Sequence, residues 1–283
     1  MTAPLAIKNE IATLRAAVAA ARAEGHRIGF VPTMGALHKG HLSLITEARK
    51  HADWVAVSVF VNPTQFSPTD DFDGYPRTLD DDAELLAEGG EADLLFAPTA
   101  REMYPKNFAT GIVVGGPAKG LESDFRPHYF SGVAVAITKM LVAVMPDIAL
   151  FGEKDYQQLL VVRQFVRDLG LPIEIAGAPI VREEDGLAYN SRNAYLSAQE
   201  RQVAAQLYPV LQLVADAVRS GKPISVAEEA GASALKTAGF TSVDYVAVRD
   251  AETLTPLEEF NRPTRVLAAV KIGRNRLIDN IAV

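Results

Sequence analysis

The chain has 283 residues, a formal net charge of −7 and no cysteine. The lack of cysteine excludes disulfides, a thiolate nucleophile and a cysteine-based zinc site, and the acidic balance argues against a nucleic-acid or anionic-membrane partner. No window approaches the roughly 18 consecutive apolar residues of a membrane-spanning helix. Residues 1–25 mix charged and apolar residues at helical spacing, unlike a signal peptide. These features predict a cytoplasmic protein with no membrane partner.

Up to about residue 181, runs rich in Val, Ile and Phe alternate with helical patterns. Buried strands are predicted over 28–32, 54–61, 93–98, 147–151 and 173–181. Helices are predicted over 41–51, 132–145 and 155–169, the last of them closed by Gly170. This alternation predicts an α/β fold, a Rossmann-like parallel sheet with helices on both faces.

Beyond residue 181 the pattern changes to helices followed by strands. Helices are predicted over 198–220 and 225–238, and three strands follow, VDYVAVRD, TRVLAAVKIG and RNRLIDNIAV. The last two strands meet at a predicted hairpin turn over 273–275. We therefore expect two domains, a Rossmann-like catalytic domain over 1–181 and a smaller C-terminal α+β lid domain with antiparallel strands over 182–283.

The stretch PTMGALHKGH, residues 32–41, follows the first predicted strand and contains two of the five histidines. It lies at the carboxyl edge of the sheet, beside a helix N-terminus whose free N–H groups favour phosphate. If Lys39 and Gly40 begin the helix, His38 and His41 share a face, and Gly40 leaves the backbone open to a ligand. Imidazoles can donate to phosphate oxygens in a transition state. Two solvated histidines at a helix start are the alternative, and a metal site lacks a nearby carboxylate.

His38-Lys39-Gly40-His41 resembles the HIGH signature of the nucleotidyltransferase superfamily. The whole chain resembles the pantoate–β-alanine ligase family through five ordered motifs: PTMGALHKGH (32–41), FVNPTQF (60–66), YPRTLDDD (75–82), FGEKDYQQL (151–159) and DGLAYNSRN (185–193). The resemblance implies ATP-dependent condensation of (R)-pantoate with β-alanine to pantothenate. The reaction would run through pantoyl adenylate and release AMP and pyrophosphate. The resemblance also implies a homodimer.

The same resemblance implies a set of site residues. ATP would be bound by Met34, Gly35, Ala36, Leu37, His38, Lys39, Gly40, His41, Gly152, Glu153, Lys154, Asp155, Val181, Tyr189, Asn190, Ser191 and Arg192. Four of them, His38, His41, Lys154 and Arg192, would be catalytic. Pantoate and β-alanine would be held by Asn62, Gln65 and Gln158. Tyr189 and Asn190 depart from the family, which commonly has Met or Leu followed by Ser there.

Three further segments allow two interpretations each. The acidic run Asp80–Asp82 is either a solvated face or, by the resemblance, the source of a Mg²⁺ ligand at Asp82. The polar stretch Ser67–Gly74 is either a mobile lid or an ordinary loop. The stretch Arg126–Gly132 is similar to a loop of the family, or it is a helix-entry turn.

Other functions agree with part of this pattern. A nucleotidyltransferase that releases its adenylated product would also carry the HxGH motif, but the segments around Gln65 and Gln158 favour a site for a second small substrate. An aminoacyl-tRNA synthetase-like protein would need a basic surface that this acidic chain lacks. A non-catalytic nucleotide sensor would be distinguished by product analysis.

Overall fold

The larger sheet has six strands. The computed structural model describes residues 5–66 and 72–283. The strands are β1 Ala6–Lys8, β2 Ile28–Thr33, β3 Trp54–Val59, β4 Leu94–Phe96, β5 Ile148–Gly152 and β6 Glu174–Ala178. They lie in the order β1-β4-β3-β2-β5-β6, and every adjacent pair is parallel. The predicted parallel sheet is confirmed.

Helices cover both faces of this sheet. They are α1 Ile11–Ala23, α2 Lys39–Arg49, α3 Leu79–Gly89, α4 Ala100–Met103, α5 Glu122–Phe125, α6 Tyr129–Val144 and α7 Tyr156–Asp168. Successive residues of a strand point to opposite faces. Phe30 of β2 therefore packs in one core with α1, α6 and α7, and Val31 packs in another with α2 and α3. Burial on both faces explains why the strands read as continuous apolar runs.

The order of the strands reverses between β2 and β5. From β2 the chain adds β3 and β4 on one side and later adds β5 and β6 on the other. Gly29 of β2 pairs with Ile148 of β5, so the loops after these two strands leave the sheet at the same edge. Ligands of open parallel sheets bind at such a reversal, which makes this edge the expected location of the site.

The chain after residue 181 forms a second sheet with its own core. Its helices are α8 Ala198–Ala204, α9 Leu207–Arg219 and α10 Ile224–Ala238, and its strands are β7 Ser242–Asp250, β8 Thr264–Ile272 and β9 Asn275–Ala282. The central strand β8 is antiparallel to both neighbours. Leu211 of α9 and Leu235 of α10 share a core with Val266 of β8. The predicted antiparallel α+β unit is confirmed. In the described part of the chain, no helix has the length and apolar character needed to span a bilayer.

The single helix predicted over 198–220 is wrong. Helix α8 ends at Ala204 and α9 begins at Leu207. Pro209 lies in the first turn of α9, and it has no N–H to donate to the carbonyl of Ala205. Because α9 begins two residues before Pro209, the proline lies in the first turn of the helix, where a backbone N–H would have no partner within the helix.

The apolar pattern did not predict strand β1, helix α3 or the four-residue helices α4 and α5. Strand β1 has three residues at the edge of the sheet, too few to show a period. Helix α3 carries Asp80, Asp81 and Asp82 in its first turn, where carboxylates are stabilised by the positive end of the helix dipole. The acidic run is therefore a helix start.

A buried ion cluster joins the two sheets. Arg276 of β9 donates to both carboxylate oxygens of Glu122 in α5, at 2.6 and 2.9 Å, and its Nε donates to Asp244 of β7 at 2.7 Å. The side chains of Glu122 and Asp244 are only 8% and 7% exposed. The hydroxyl of Tyr245 also donates to Glu122, at 2.7 Å. One guanidinium thus pairs with two buried carboxylates at the junction.

We expect Arg276→Met to lower the free energy of unfolding by about 3–5 kcal/mol, because it leaves buried carboxylates without their cation. Arg219→Met is the control: its partner Asp216 is exposed, and the expected loss is below about 0.5 kcal/mol. Urea unfolding of the two variants and the wild type measures both values. Equal losses of unfolding free energy in the two variants would show that the buried cluster stabilises the protein no more than an exposed ion pair does.

Candidate active site

A cavity of about 960 Å³ opens at the carboxyl ends of β2 and β5 and reaches the strands of the second sheet. Most residues predicted for the site line it: Met34, His38, Gly40, His41, Asn62, Gln65, Gly152, Lys154, Asp155, Gln158, Val181, Tyr189, Asn190, Ser191 and Arg192. They come from separate segments of the chain, which the strand reversal brings to one place.

The remaining predicted residues have other neighbours. Gly35, Ala36, Leu37, Lys39, Glu153 and Asp82 are not part of the cavity wall. Lys39 is exposed, and the Glu153 carboxylate pairs with Arg265 at 2.9 Å. Most of the stretch predicted as a lid, Ser67–Gly74, lies outside the described residues, which resume at Phe72.

His38 caps helix α2. The helix begins at Lys39 instead of His41, and Nδ1 of His38 accepts the N–H of Gly40 at 3.2 Å. Because Nδ1 is an acceptor, the neutral ring carries its proton on Nε2. The ring centres of His38 and His41 are 4.0 Å apart, so the structure brings the pair together. A Cβ at residue 40 would lie 3.0 Å from the His38 ring. The glycine therefore makes room for this imidazole, and its backbone also lines the cavity.

Both imidazoles are neutral near pH 7. Burial, then the neighbouring His38 ring and the positive charge of Lys154, lower the pKa of His41 to about 3. Burial and then Lys154 lower the pKa of His38 to about 4. A neutral imidazole can still donate an N–H hydrogen bond, and it avoids the cost of burying a second and third cation beside Lys154.

Two of the predicted residues bring basic side chains to the same cavity. Lys154 lies in the 3₁₀ turn Glu153–Asp155, directly after β5. Burial lowers the pKa of its ammonium, Asp155 opposes the shift and Arg192 adds to it. The Arg192 guanidinium lies 5.5 Å from the ring centre of Tyr75, a cavity residue that the sequence analysis missed. A lysine and an arginine beside neutral N–H donors suit a polyphosphate.

Asn190, which departs from the family motif, caps the turn that carries Arg192. Its side-chain oxygen accepts the N–H of Arg192 at 3.2 Å, at the start of the 3₁₀ turn Ser191–Tyr195. Serine and asparagine are both good N-caps. The departure therefore keeps the local structure. The ring of Tyr189, the other departure, lies 5.9 Å from that of His38.

A hydrogen-bond network fixes the orientation of the Gln65 amide. Oδ1 of Asn62 accepts the backbone N–H of Thr64 at 3.3 Å, and Nδ2 donates to the backbone carbonyl of Gly132 at 3.2 Å. A backbone N–H can only donate and a carbonyl can only accept, so the Asn62 amide has one possible orientation. Its Nδ2 also donates to Oε1 of Gln65, at 2.8 Å. This engages the oxygen of Gln65, and within the described part of the chain its NH₂ remains to bind a ligand.

Gln158 has a similar arrangement. Its Oε1 accepts from the hydroxyl of Tyr129 at 3.1 Å, which leaves its NH₂ without that partner. Burial raises the pKa of Tyr129 to about 12, so this phenol remains a donor. The two glutamines offer N–H donors to this end of the cavity, which suits the oxygen acceptors of a hydroxy acid. No role was predicted for the Arg126–Gly132 stretch, although it supplies Tyr129.

The backbone of α6 forms part of the wall around Gln65. A Cβ added to Gly132 would clash with the carbonyl group of Thr64. Only a glycine lets the helix approach the Pro63–Gln65 turn this closely, and its carbonyl then becomes the acceptor that orients Asn62.

Asp82, predicted as the source of a Mg²⁺ ligand, holds the backbone of the histidine loop. Its two carboxylate oxygens accept the N–H groups of Ala36 at 3.0 Å and Leu37 at 2.7 Å, and the residue is 3% exposed. Burial raises the pKa of this carboxyl, and the two amides oppose the shift. Ala36 has a φ of 50°, an uncommon conformation for a residue with a Cβ, and the carboxylate holds that loop. No group of three or more metal-binding side chains occurs within residues 5–66 and 72–283.

Known proteins resemble this chain over its whole length. The model of the Pantoate-beta-alanine ligase family matches residues 6–282. A pantothenate synthetase of Paramagnetospirillum magneticum is 50% identical over 100% of this chain and 99% of its own, and one of Mesorhizobium japonicum is 53% identical over 98% and 97%.

Solved structures agree with the sequence comparison. The pantothenate synthetase of Thermus thermophilus superposes with a TM-score of 0.92 at 46% identity, covering 98% of this chain and 99% of that one. The pantoate-beta-alanine ligase of Francisella tularensis, complexed with beta-gamma ATP and beta-alanine, has a TM-score of 0.82 at 32% identity over 98% and 97%. With this fold, this cavity and these matches, the chain belongs to the pantoate–β-alanine ligase family of enzymes.

Proposed function

We propose that this enzyme joins pantoate to β-alanine in two steps at one site, with pantoyl adenylate as the intermediate and ATP as the activating substrate. The observation that carries the proposal is the set of groups that line one cavity. Neutral imidazoles, an ammonium and a guanidinium meet there with the side-chain amides of Gln65 and Gln158. The Francisella relative, crystallised with an ATP species and β-alanine, supports the same substrates.

In the first step a carboxylate oxygen of pantoate attacks the α-phosphorus of ATP. The bond between that phosphorus and the oxygen bridging to the β-phosphate breaks, and pyrophosphate leaves with the electron pair. Negative charge builds on the phosphate oxygens in the transition state. His38, His41, Lys154 and Arg192 supply preorganised donors and positive charge for it in a partly buried site, while Gln65 and Gln158 hold the acid in position.

In the second step the amine of β-alanine attacks the acyl carbon of the adenylate. The bond between that carbon and the phosphate oxygen breaks, AMP leaves with the electron pair, and the proton that the amine nitrogen loses as the amide forms passes to water. No enzyme nucleophile takes part. With pKa values of about 3 and 4, His41 and His38 are weak bases, so their role is to donate hydrogen bonds.

Several expectations from the sequence stay predictions. The resemblance implies the use of Mg²⁺, to which we assign no step, and the homodimer. Composition and pattern predict the cytoplasmic location, the lack of a nucleic-acid partner, and the division into a catalytic domain over 1–181 and a lid domain over 182–283.

Product analysis tests the reaction. We expect the enzyme with ATP, Mg²⁺, pantoate and β-alanine to form pantothenate, AMP and pyrophosphate in equal amounts. Pantoate labelled with ¹⁸O in its carboxylate should transfer one ¹⁸O atom to AMP, because that oxygen bridges carbon and phosphorus in the adenylate. Stoichiometric ADP would contradict attack at the α-phosphorus. Steady release of adenylate without β-alanine would favour a simple nucleotidyltransferase.

We expect His41→Ala to lower the rate of adenylate formation by about 10²–10³, the usual effect of removing one transition-state donor. His51→Ala is the matched control, because His51 is exposed just beyond the end of α2, and it should keep the wild-type rate. Rapid-quench measurement of pantoyl adenylate compares the variants. A folded His41→Ala enzyme with the wild-type rate would refute the role.

The lowered pKa values predict that neither His38 nor His41 takes up a proton between pH 8 and pH 5.5, since their titration lies at about 4 and 3. The imidazole NMR signals of the two residues, assigned by their loss in His38→Ala and His41→Ala, should stay constant over this range. A signal that titrates near pH 6.5 would show a charged imidazole at neutral pH and would contradict the proposed neutral donors.

We expect Asn62→Asp to raise the KM for pantoate by about 10- to 100-fold. A carboxylate at residue 62 can only accept, so Gln65 must turn its NH₂ towards it and present Oε1 to the negatively charged acid, which loses a charge-assisted hydrogen bond. Asn261→Asp adds the same charge at an exposed position and should leave this KM unchanged. Equal KM values for both variants would contradict the orientation argument.

A further inference from the structure

The turn that carries Lys154 is held from the second sheet. Nδ2 of Asn280, in β9, donates to the backbone carbonyls of Glu153 and Lys154, both at 2.9 Å. Beside this contact, Arg265 of β8 pairs with the Glu153 side chain at 2.9 Å. Three consecutive residues, Glu153–Asp155, form this turn between β5 and α7, and strands distant in sequence fix its backbone.

Within the described residues, the side-chain amide of Asn280 donates to this turn alone. The residue is 1% exposed, and because both of its acceptors are carbonyls, its amide has one possible orientation. Its Oδ1 is buried without a hydrogen-bond partner in the described part of the chain. A buried oxygen left unpaired costs stability, so the side chain contributes through its two donated hydrogen bonds.

The position of Lys154 depends on this backbone. Its ammonium lines the same cavity as the histidine pair and acts there on their pKa values. Without Asn280, the carbonyls of Glu153 and Lys154 would each lose a buried partner and the turn could move. The Lys154 ammonium also has a charged neighbour on β9. This is Asp279, which pairs with Arg182 at 2.6 Å and raises the pKa of the Lys154 ammonium.

We propose that Asn280 is a positioning residue for catalysis: by holding the carbonyls of Glu153 and Lys154, it fixes the Lys154 ammonium where negative charge develops on the α-phosphate. The second sheet thereby determines the geometry of a catalytic group in the first. This inference rests on the proposed adenylate-forming reaction and adds a residue that the motifs of the sequence do not include.

The test compares Asn280→Ala and Asn280→Leu with a matched control, Leu277→Ala. Leucine keeps the branched shape of asparagine without its donors, and alanine removes the donors without adding bulk, so one of the two variants remains informative if the other folds poorly. Leu277 is buried in the core of the second sheet, also on β9, and does not line the cavity. Its truncation loosens the sheet without touching the turn. Melting temperature, the rate of pantoyl adenylate formation and the KM for pantoate are measured for each.

We expect both Asn280 variants to form adenylate about 10- to 100-fold more slowly, the effect of misplacing a catalytic group by about 1 Å, with the KM for pantoate within about twofold of wild type. Leu277→Ala should lower the melting temperature at least as much and keep the rate within about twofold. A double variant with Lys154→Gln should be no slower than Lys154→Gln alone, because the two residues act as one unit.

Two results would overturn the inference. One is that both Asn280 variants have lower melting temperatures but form adenylate at the wild-type rate, as expected for Leu277→Ala. The other is a double variant in which the two losses multiply, which would show that Asn280 acts independently of Lys154. A wild-type enzyme that makes no pantoyl adenylate would instead refute the proposed function and remove the basis of the inference.

Discussion

The pairing of β2 with β5 is the contact on which the site depends. The chain leaves β2, builds β3 and β4 on one side, and returns to place β5 against the free edge of β2. Asp147, just before β5, secures the start of the pair: its carboxylate accepts the N–H of Ile28 at 2.7 Å, and its own N–H donates to the carbonyl of Ile28 at 2.9 Å. At the other end of the two strands the histidine loop and the lysine turn emerge side by side. A shift in this pairing would separate the imidazoles from the ammonium.

Burial determines how charge is distributed among the residues proposed to bind phosphate. A site that must stabilise a polyphosphate could in principle use many cations, but each buried cation raises the cost of the next. Here Lys154 and Arg192 are the basic groups, and His38 and His41 stay neutral and contribute N–H groups. The end proposed to bind the acid uses amides whose oxygens are already engaged by Asn62 and Tyr129, and Arg126, which donates to the Gln65 carbonyl at 2.9 Å, adds a positive charge beside them.

The sequence predicted what depends on local pattern. The parallel sheet, the antiparallel C-terminal unit and the segments that meet at the cavity follow from apolar runs, helix signals and ordered motifs. It could not predict pairings between distant residues. The role of Asp82 depends on which backbone amides its carboxylate meets, and that of Asn280 on a turn far away in the chain. Pro209 indicates a helix start near residue 207, but the apolar pattern of 198–220 continues across the break and predicts a single helix.

The contact between Gly132 and the Pro63–Gln65 turn limits how this enzyme can be redesigned. Acid subsites are usually reshaped by trimming side chains, but here part of the wall is main chain, and a main chain cannot be trimmed. Any larger residue at 132 would push out the turn that carries Gln65, and it would also displace the carbonyl that orients Asn62. Variants that accept bulkier acids must therefore gain their space elsewhere, from walls built of side chains such as Val133 and Met140.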